Sequence, residues 1–470
     1  MEQWAKKWLE GQRREGVKCL EIKMQGKNHY VYHSTSYWDK DLKKPKKTSK
    51  YLGKLDPEKG LIKPERNRIE SIRNITECGN SLLLHMVMEE IKPLLMEGFP
   101  DCWEEVFVIA MVRVSGSVPL KRIEESWEKL YNVDGIHPDL KPKSLSKVLH
   151  NVGINREGQN VVFNWLVDRS KQLVYDLTSI FSRSMSISQA EKGYNKDGIQ
   201  VPQINLALLC CVDTGLPTMI RSIPGSVKDI RTLYNSIKEL DITEKILILD
   251  RGFFSDDVVE FLADKKILYV IPTRRNSHYY DKRIHLNEHL YYHDRLIRGG
   301  KRRCDKFFLY LFEDQDLMLE ERKTLYRKLD ENKIDKDGLK KSMRRAGRIL
   351  ILSNLDVEEQ EVYELYKKRE GIEKMFDAYK TVLNADKLYL RDDESVFGHV
   401  FVSFLSLYIH CSLEQLLKRG EFNRQITPID LLFKYSKVYH VDMGKRSIIT
   451  EVPKKVMDLE KRLGLDIFPK

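Results

Sequence analysis

Two aspartates stand at the ends of apolar runs in this 470-residue chain. Asp176 follows Leu173-Val174-Tyr175, and Asp250 follows Ile246-Leu247-Ile248-Leu249. Such runs read as buried strands, and an unpartnered carboxylate at the end of one is costly to desolvate. A backbone N–H, a helix cap or, for Asp250, the neighbouring Arg251 would each serve as a partner. A divalent cation shared by both aspartates answers the same charge problem. Asp213, by contrast, is explained by its place in the turn Asp213-Thr214-Gly215.

Further along, Tyr366, Arg369, Glu373 and Lys380 fall in a stretch with helical apolar spacing. With Tyr366 at zero, 100° per residue puts Arg369 at about 300°, Lys380 at about 320° and Glu373 at about 340°. Beside this arc runs an apolar stripe of Leu365, Ile372, Phe376, Tyr379 and Leu383. The polar face therefore borders the buried one, where it can look into a cleft. Glu370 and Asp377 lie close to the same arc, so spacing alone does not separate Glu373 from them.

The set Tyr366-x2-Arg369-x3-Glu373-x6-Lys380 resembles the Tyr-Arg-Glu-Lys signature of the insertion-sequence-four transposases, a DDE-type family. Ile248-Leu249-Asp250-Arg251-Gly252-Phe253 is similar to that family's second-aspartate motif, and Tyr175-Asp176-Leu177-Thr178-Ser179 to its first. The likeness extends to Tyr30–Gly53, Gly193–Gln203, Pro224–Asp229 and Gly398–Leu407, and so covers most of the chain. Two departures stand out. The stretch Gly198–Gln203 is shorter than usual and lacks a basic residue, and Pro224-Gly225-Ser226 replaces the family's Pro-Gly-Asn.

The resemblance implies a catalytic and metal-binding triad of Asp176, Asp250 and Glu373 on a ribonuclease-H-like core. Such a triad would hold two Mg²⁺ or Mn²⁺ ions about 3.5–4 Å apart, the spacing for in-line phosphoryl displacement. Oxygen-only ligands suit these ions. It further implies cut-and-paste transposition: cleavage at terminal inverted repeats, then joining of the 3′-OH to target DNA. Tyr366, Arg369 and Lys380 would contact DNA near the scissile bond. Synapsis of two ends implies a homodimer. A retired transposase that only binds DNA, and a nuclease of the same core without strand transfer, are the competing readings.

The elements that must position these residues can be read in outline. Leu173–Leu177, Ile204–Val212 and Thr218–Ile223 read as strands, the last two as a hairpin. Helix Asp229–Leu240, strand Lys245–Leu249, helix Asp256–Ala263 and strand Ile267–Ile271 follow. This order predicts an α/β fold with a mixed sheet flanked by helices. Residues 171–274 form the first part of the core and 354–418 the second, with one long helix from Val357 to Leu383. Residues 275–353 read as an inserted, partly β subdomain. Within it, Arg298-Gly299-Gly300-Lys301-Arg302-Arg303 reads as a basic turn, with Arg298, Lys301, Arg302 and Arg303 offered to DNA. Residues 1–75 read as a basic arm with short strands, 76–170 as a helical DNA-binding or linker domain, and 419–470 as a C-terminal region.

Between Tyr37 and Lys54 lie seven lysines and two aspartates, with Trp38 and Tyr51 close by. Lys43, Lys44, Lys46 and Lys47 are the candidate phosphate contacts of this arm. The formal charge of +11 agrees with an anionic partner without requiring one. Seven scattered cysteines with no Cys-x-x-Cys pair fit a reducing compartment. The N-terminal residues lack a signal-peptide h-region, and the expected location is the prokaryotic cytoplasm, on the nucleoid. Ser395–Leu413 carries no Asp, Glu, Lys or Arg and is long enough to imitate a membrane span. Its two histidines and four serines favour a buried core helix instead.

Overall fold

A computed structural model describes residues 2–39, 43–64, 72–115, 118–182, 184–193, 201–227, 229–386, 388, 390–422 and 425–468, with backbone alone for 229–232. The chain divides into two compact units, Met1–Arg73 with Met443–Arg446, and Asn74–Asp442 with Ser447–Lys470. Residues 194–200, within the resemblance-bearing stretch Gly193–Gln203, and residues 65–71 lie outside the described residues.

In the first unit, helix α1 (Gln3–Arg14) accompanies an antiparallel sheet of β1 (Leu20–Gln25), β2 (Asn28–Asp39), β3 (Lys44–Asp56) and β4 (Gly60–Ile62), in that order. Ala5 and Leu9 of the helix share a small core with Leu20, Val31 and Leu55. The lysine-rich stretch, expected as an arm with only short strands, is the far half of a long β2–β3 ribbon. Its pairing runs continuously to Asp39 opposite Lys44.

The second unit opens with β5 (Asn74–Glu77) and helices α2 (Gly79–Met88), α3 (Lys92–Gly98), α4 (Trp103–Val114), α5 (Ile123–Trp127), α6 (Pro142–Ile154) and α7 (Arg156–Asp168). Strands β6 (Gln172–Phe181), β7 (Gln203–Cys211) and β8 (Leu216–Pro224) follow. After them come α8 (Asp229–Glu239), β9 (Ile246–Leu249), α9 (Asp256–Asp264) and β10 (Leu268–Pro272). The chain continues through β11 (Glu288–Tyr292), β12 (Arg295–Arg303), β13 (Phe308–Asp314), α10 (Gln315–Asp330), α11 (Lys336–Met343) and β14 (Arg348–Ser353). It ends with α12 (Glu359–Lys367), α13 (Glu370–Asp377), α14 (Asp393–Arg419), α15 (Pro428–Tyr435), β15 (Tyr439–Asp442), β16 (Ser447–Ile449) and α16 (Lys454–Leu463).

Nine strands form one sheet in the order β11-β12-β13-β14-β10-β9-β6-β7-β8. β6 runs antiparallel to β7 and parallel to β9, and β9 runs parallel to β10, so the sheet is mixed as expected. Helices α7 and α14 pack on β8, α9 and α12 on β10, and α13 on β6. The strands of the expected insert do not start a second sheet: β14 pairs with β10 and carries β13, β12 and β11 outward.

Two sequence expectations are corrected here. Arg298–Arg303 is not a turn but the last six residues of β12, and the turn lies at His293 and Asp294, with φ of 44° and 63°. Two successive positive φ angles are what a two-residue hairpin needs to match strand twist. The paired glycines that suggested a turn serve packing instead. A Cβ on Gly300 would lie 2.0 Å from the His285 carbonyl oxygen.

The single helix expected over Val357–Leu383 is three pieces. Between α12 and α13 the bonds Arg369 N–Tyr366 O, Gly371 N–Lys368 O and Ile372 N–Arg369 O span three residues rather than four. That is a tightened turn. After α13, Ala378–Val382 widens into a π turn. The apolar stretch that imitates a membrane span lies within α14, and 89% of its most apolar window is buried inside the protein. It is a core helix, packed against α4, α6 and β8.

Candidate active site

Register brings the two aspartates together. In the parallel pair β6–β9, Tyr175 stands opposite Leu249. The next residue on each chain is Asp176 and Asp250, so both carboxylates leave neighbouring strands on the same face. Asp176 is 6% exposed and accepts a hydrogen bond from its own neighbour, Leu177 N, at 2.8 Å. Asp250 follows the last residue of β9, and its carbonyl oxygen accepts from Phe253 N, which opens the short turn Arg251–Phe253. That turn buries Phe253 edge-on against Tyr175, locking the two strand ends.

Helix α13 lies on β6 and delivers the third acid. One guanidinium joins all three: Arg369 Nη1 is 3.2 Å from Glu373, 3.8 Å from Asp250 and 3.9 Å from Asp176. Burial opposes the charge on Arg369, but Asp250, Tyr366, Asp176 and Glu373 outweigh it and hold the group above its ordinary pKa. Arg251, the sequence neighbour of Asp250, forms no ion pair among the described residues, so Asp250 finds its cation in Arg369. Glu370, which spacing alone could not set aside, is occupied at 2.9 Å with Lys367.

The chemistry of this donor set fits a hard divalent cation. Three carboxylates and one guanidinium leave a formal charge of two negatives, and all offered atoms are oxygens. A single arginine only partly offsets the mutual repulsion of three carboxylates. The three acids do not form one tight cluster. Among the described residues, the group whose donors all lie within 4.8 Å of one another is His150, Asp392 and Glu394, on α6 and the start of α14.

The family model of the transposase DDE domain matches residues 167–409, which include Asp176, Asp250 and Glu373. The chain belongs to the transposase DDE-domain family. It is accordingly a DNA transposase, an enzyme of transposition and recombination whose domain class works with divalent metal. Six solved chains are similar to it. One is a piggyBac transposase, in a cryo-EM structure of its synaptic complex with hairpin DNA. It shares 13% identity over 83% of this chain and 76% of that one, with a TM-score of 0.35. No curated protein sequence matches at a significant level.

The other expected contacts of this DDE protein are placed less centrally. Tyr366 lies in the last turn of α12, three residues before Arg369, and is half-buried. Lys380 sits on the π turn, also half-buried. Arg298, Lys301, Arg302 and Arg303 lie on β12, five strands from β6, or roughly 24 Å at the usual strand spacing. Arg298 pairs with Glu313 at 3.5 Å. Lys301 pairs with Asp356 and lies over the rings of Phe308 and Tyr310. Arg302 donates to the Arg283 carbonyl at 3.0 Å. In the first unit, Lys46 pairs with Asp39 and Lys47 with Glu21, while Lys43 and Lys44 are exposed.

Sequence reasoning preferred a DNA contact for Arg369 over its alternative, pairing with Glu373 at the i,i+4 spacing, and the structure shows that pair at 3.2 Å. Sequence reasoning also passed over Arg221, which is clamped by Glu239, Gln159 and Asn160 and lies over Phe163. That clamp ties β8 to α7 and α8.

Proposed function

We propose that this chain is a cut-and-paste transposase of the insertion-sequence-four type, acting on terminal inverted repeats and target DNA as a homodimer in the prokaryotic cytoplasm. Asp176, Asp250 and Glu373 are the catalytic acids and hold two Mg²⁺ or Mn²⁺ ions. The observation that carries this reading is the convergence of all three carboxylates on Arg369 within 3.9 Å. The strand order β8-β7-β6-β9-β10, with β7 antiparallel and the other core partners parallel, supports a ribonuclease-H-like core.

When bound, such ions activate the attacking water or 3′-hydroxyl and stabilise the leaving oxygen. The protein's own residues prepare the site. Asp176 is fixed by burial and by Leu177 N. Glu373, with its side chain 53% exposed, is free to turn toward a cation. Arg369, released from the acids in proportion as other positive charge arrives, presents its fork to a phosphate. Tyr366 and Lys380 flank it along the same segment and contact the DNA beside the scissile bond. The exposed lysines of the β2–β3 ribbon and Arg302 and Arg303 of β12 add contacts to the phosphate backbone.

The test is an incubation of the full-length protein with Mg²⁺, a labelled duplex carrying the repeats that flank its gene, and a target plasmid. Cleavage with joined product is the expected result. Cleavage alone would leave a nuclease, and binding alone would leave a DNA-binding protein.

A further inference from the structure

Arg113, on α4, reaches into a cavity of about 560 Å³ between α4 and α14. The cavity is bordered by Leu383, Asn384 and Ala385, the residues that follow the π turn at the end of the Glu373 helix segment. Arg113 Nη1 donates to Ser403 Oγ at 3.2 Å and stands 3.3 Å from His399 Nδ1. His399 Nε2 lies 3.0 Å from the Ala385 carbonyl oxygen, which can only accept. The proton is therefore on Nε2, and Nδ1 is the acceptor for Arg113. Burial, together with Arg113 itself, holds His399 down at about 3, so the ring is neutral.

Both partners of Arg113 are thus uncharged. Among the described residues no carboxylate forms an ion pair with it, unlike Arg221 with Glu239 or Arg369 with its three acids. Burial makes the guanidinium less basic than usual, down to about 10. Ser406 lies in the same wall and Lys121, an exposed lysine, at the lining as well. The Ser406 hydroxyl is spent on the Ala110 and Val402 carbonyls, so among the described lining residues the cavity offers two cations, the Ser403 hydroxyl and no carboxylate, a set that suits an anion.

We propose that this cavity is a phosphate-binding subsite in which Arg113, Ser403 and Lys121 hold one phosphate group. The group comes either from the nucleic-acid strand engaged at the acids or from a free phosphate compound. The nucleic-acid source rests on the transposase reading above, whereas the anion chemistry stands without it. The planar guanidinium still has donors to spend, and a phosphate supplies the charge that Ser403 and His399 cannot.

The test uses the full-length protein, melted in sodium phosphate and in sodium chloride of matched ionic strength, and titrated with a fluorescent duplex carrying an element end. Phosphate is expected to raise the melting temperature of the wild type. Arg113→Gln should melt in chloride no lower than the wild type, lose the phosphate response, and bind the duplex about tenfold more weakly. Lys121→Ala, at an exposed position, should bind about threefold more weakly and show a smaller phosphate response. Loss of the phosphate response with unchanged duplex affinity would keep the subsite and assign it to a free phosphate compound. A phosphate response in a wild type that binds no duplex would sink the transposase reading and leave the subsite standing. Equal melting in both salts with unchanged duplex affinity in both variants would overturn the proposal. So would an Arg113→Gln protein that melts lower yet keeps its phosphate response. Should Arg113→Gln not fold, a Lys121→Ala protein indistinguishable from wild type in both assays overturns it.

Discussion

Asp176 and Asp250 lie side by side because Tyr175 and Leu249, the residues before them, are paired across the parallel strands β6 and β9. A one-residue slip in that register would turn one carboxylate to the opposite face of the sheet. The site therefore depends on the apolar runs that set the register as much as on the acids.

Replacement of Asp176, Asp250 or Glu373 by alanine is expected to lower DNA cleavage by about a thousandfold or more. Duplex affinity should change little. Gel assays of cleavage alongside anisotropy titrations check both, and near-wild-type cutting by one variant would remove that residue from the catalytic set.

Arg369→Ala leaves three carboxylates without their shared cation. The expected loss is about 1–3 kcal/mol of stability near neutral pH, discounted because Glu373 is half exposed. Millimolar Mg²⁺ should restore more stability to this variant than to the wild type. Thermal melts with and without Mg²⁺ decide this, and an identical Mg²⁺ increment in both proteins would argue against a shared role.

His399 contributes an acid-side loss of stability. Its folded pKa, about 3, lies below its ordinary value of 6.5. Between those values the unfolded chain takes up a proton that the folded chain refuses, so stability is full above about pH 6.5 and declines as pH falls toward 3. His85 and His410 are also held low by burial and act in the same direction. Melting curves from pH 4 to 8 should show a shallower acid decline for His399→Gln than for the wild type, and parallel declines would count against it.

Helices α6 and α14 cross at two glycines. A Cβ on Gly153 would lie 1.7 Å from the Glu394 carbonyl oxygen, and one on Gly398 would lie 1.8 Å from that of Leu149. Gly153→Ala or Gly398→Ala is expected to cost about 1–3 kcal/mol by forcing the helices apart. Chemical denaturation measures it, and an unchanged midpoint would show that the crossing relaxes freely.

Salt titration separates the ribbon lysines. Lys43 and Lys44 are exposed, whereas Lys46 and Lys47 already have carboxylate partners. Replacing Lys43 and Lys44 by alanine should reduce the slope of log affinity against log salt by up to about 1.8 for duplex DNA. Replacing Lys46 and Lys47 should reduce it less. Equal slopes for the wild type and both double variants would remove the ribbon from the DNA interface.

By itself the sequence determined the local elements of the core and singled out Asp176 and Asp250 as candidate acids. Strands β6 to β10 were legible because buried strands are written as apolar runs closed by turn residues. Asp176 and Asp250 stood out because a charge at the end of such a run needs a partner. The Tyr366-to-Lys380 spacing chose Glu373 only through family resemblance, since a helical wheel left Glu370 and Asp377 beside it. Tertiary structure decided what pairwise contact decides. It made Arg369 the common cation of the three acids, gave Glu370 to Lys367, and ran β11–β14 on from the core sheet. It also broke the expected long helix at Lys368–Arg369 and widened it at Ala378–Val382. A wheel drawn at a constant 100° cannot foresee those breaks, because they arise where the chain must fit a neighbouring surface and not from its own residue pattern. For the same reason the glycines of Arg298–Arg303 read as a turn, although the crowding that requires Gly300 comes from His285, remote from that strand's own pattern.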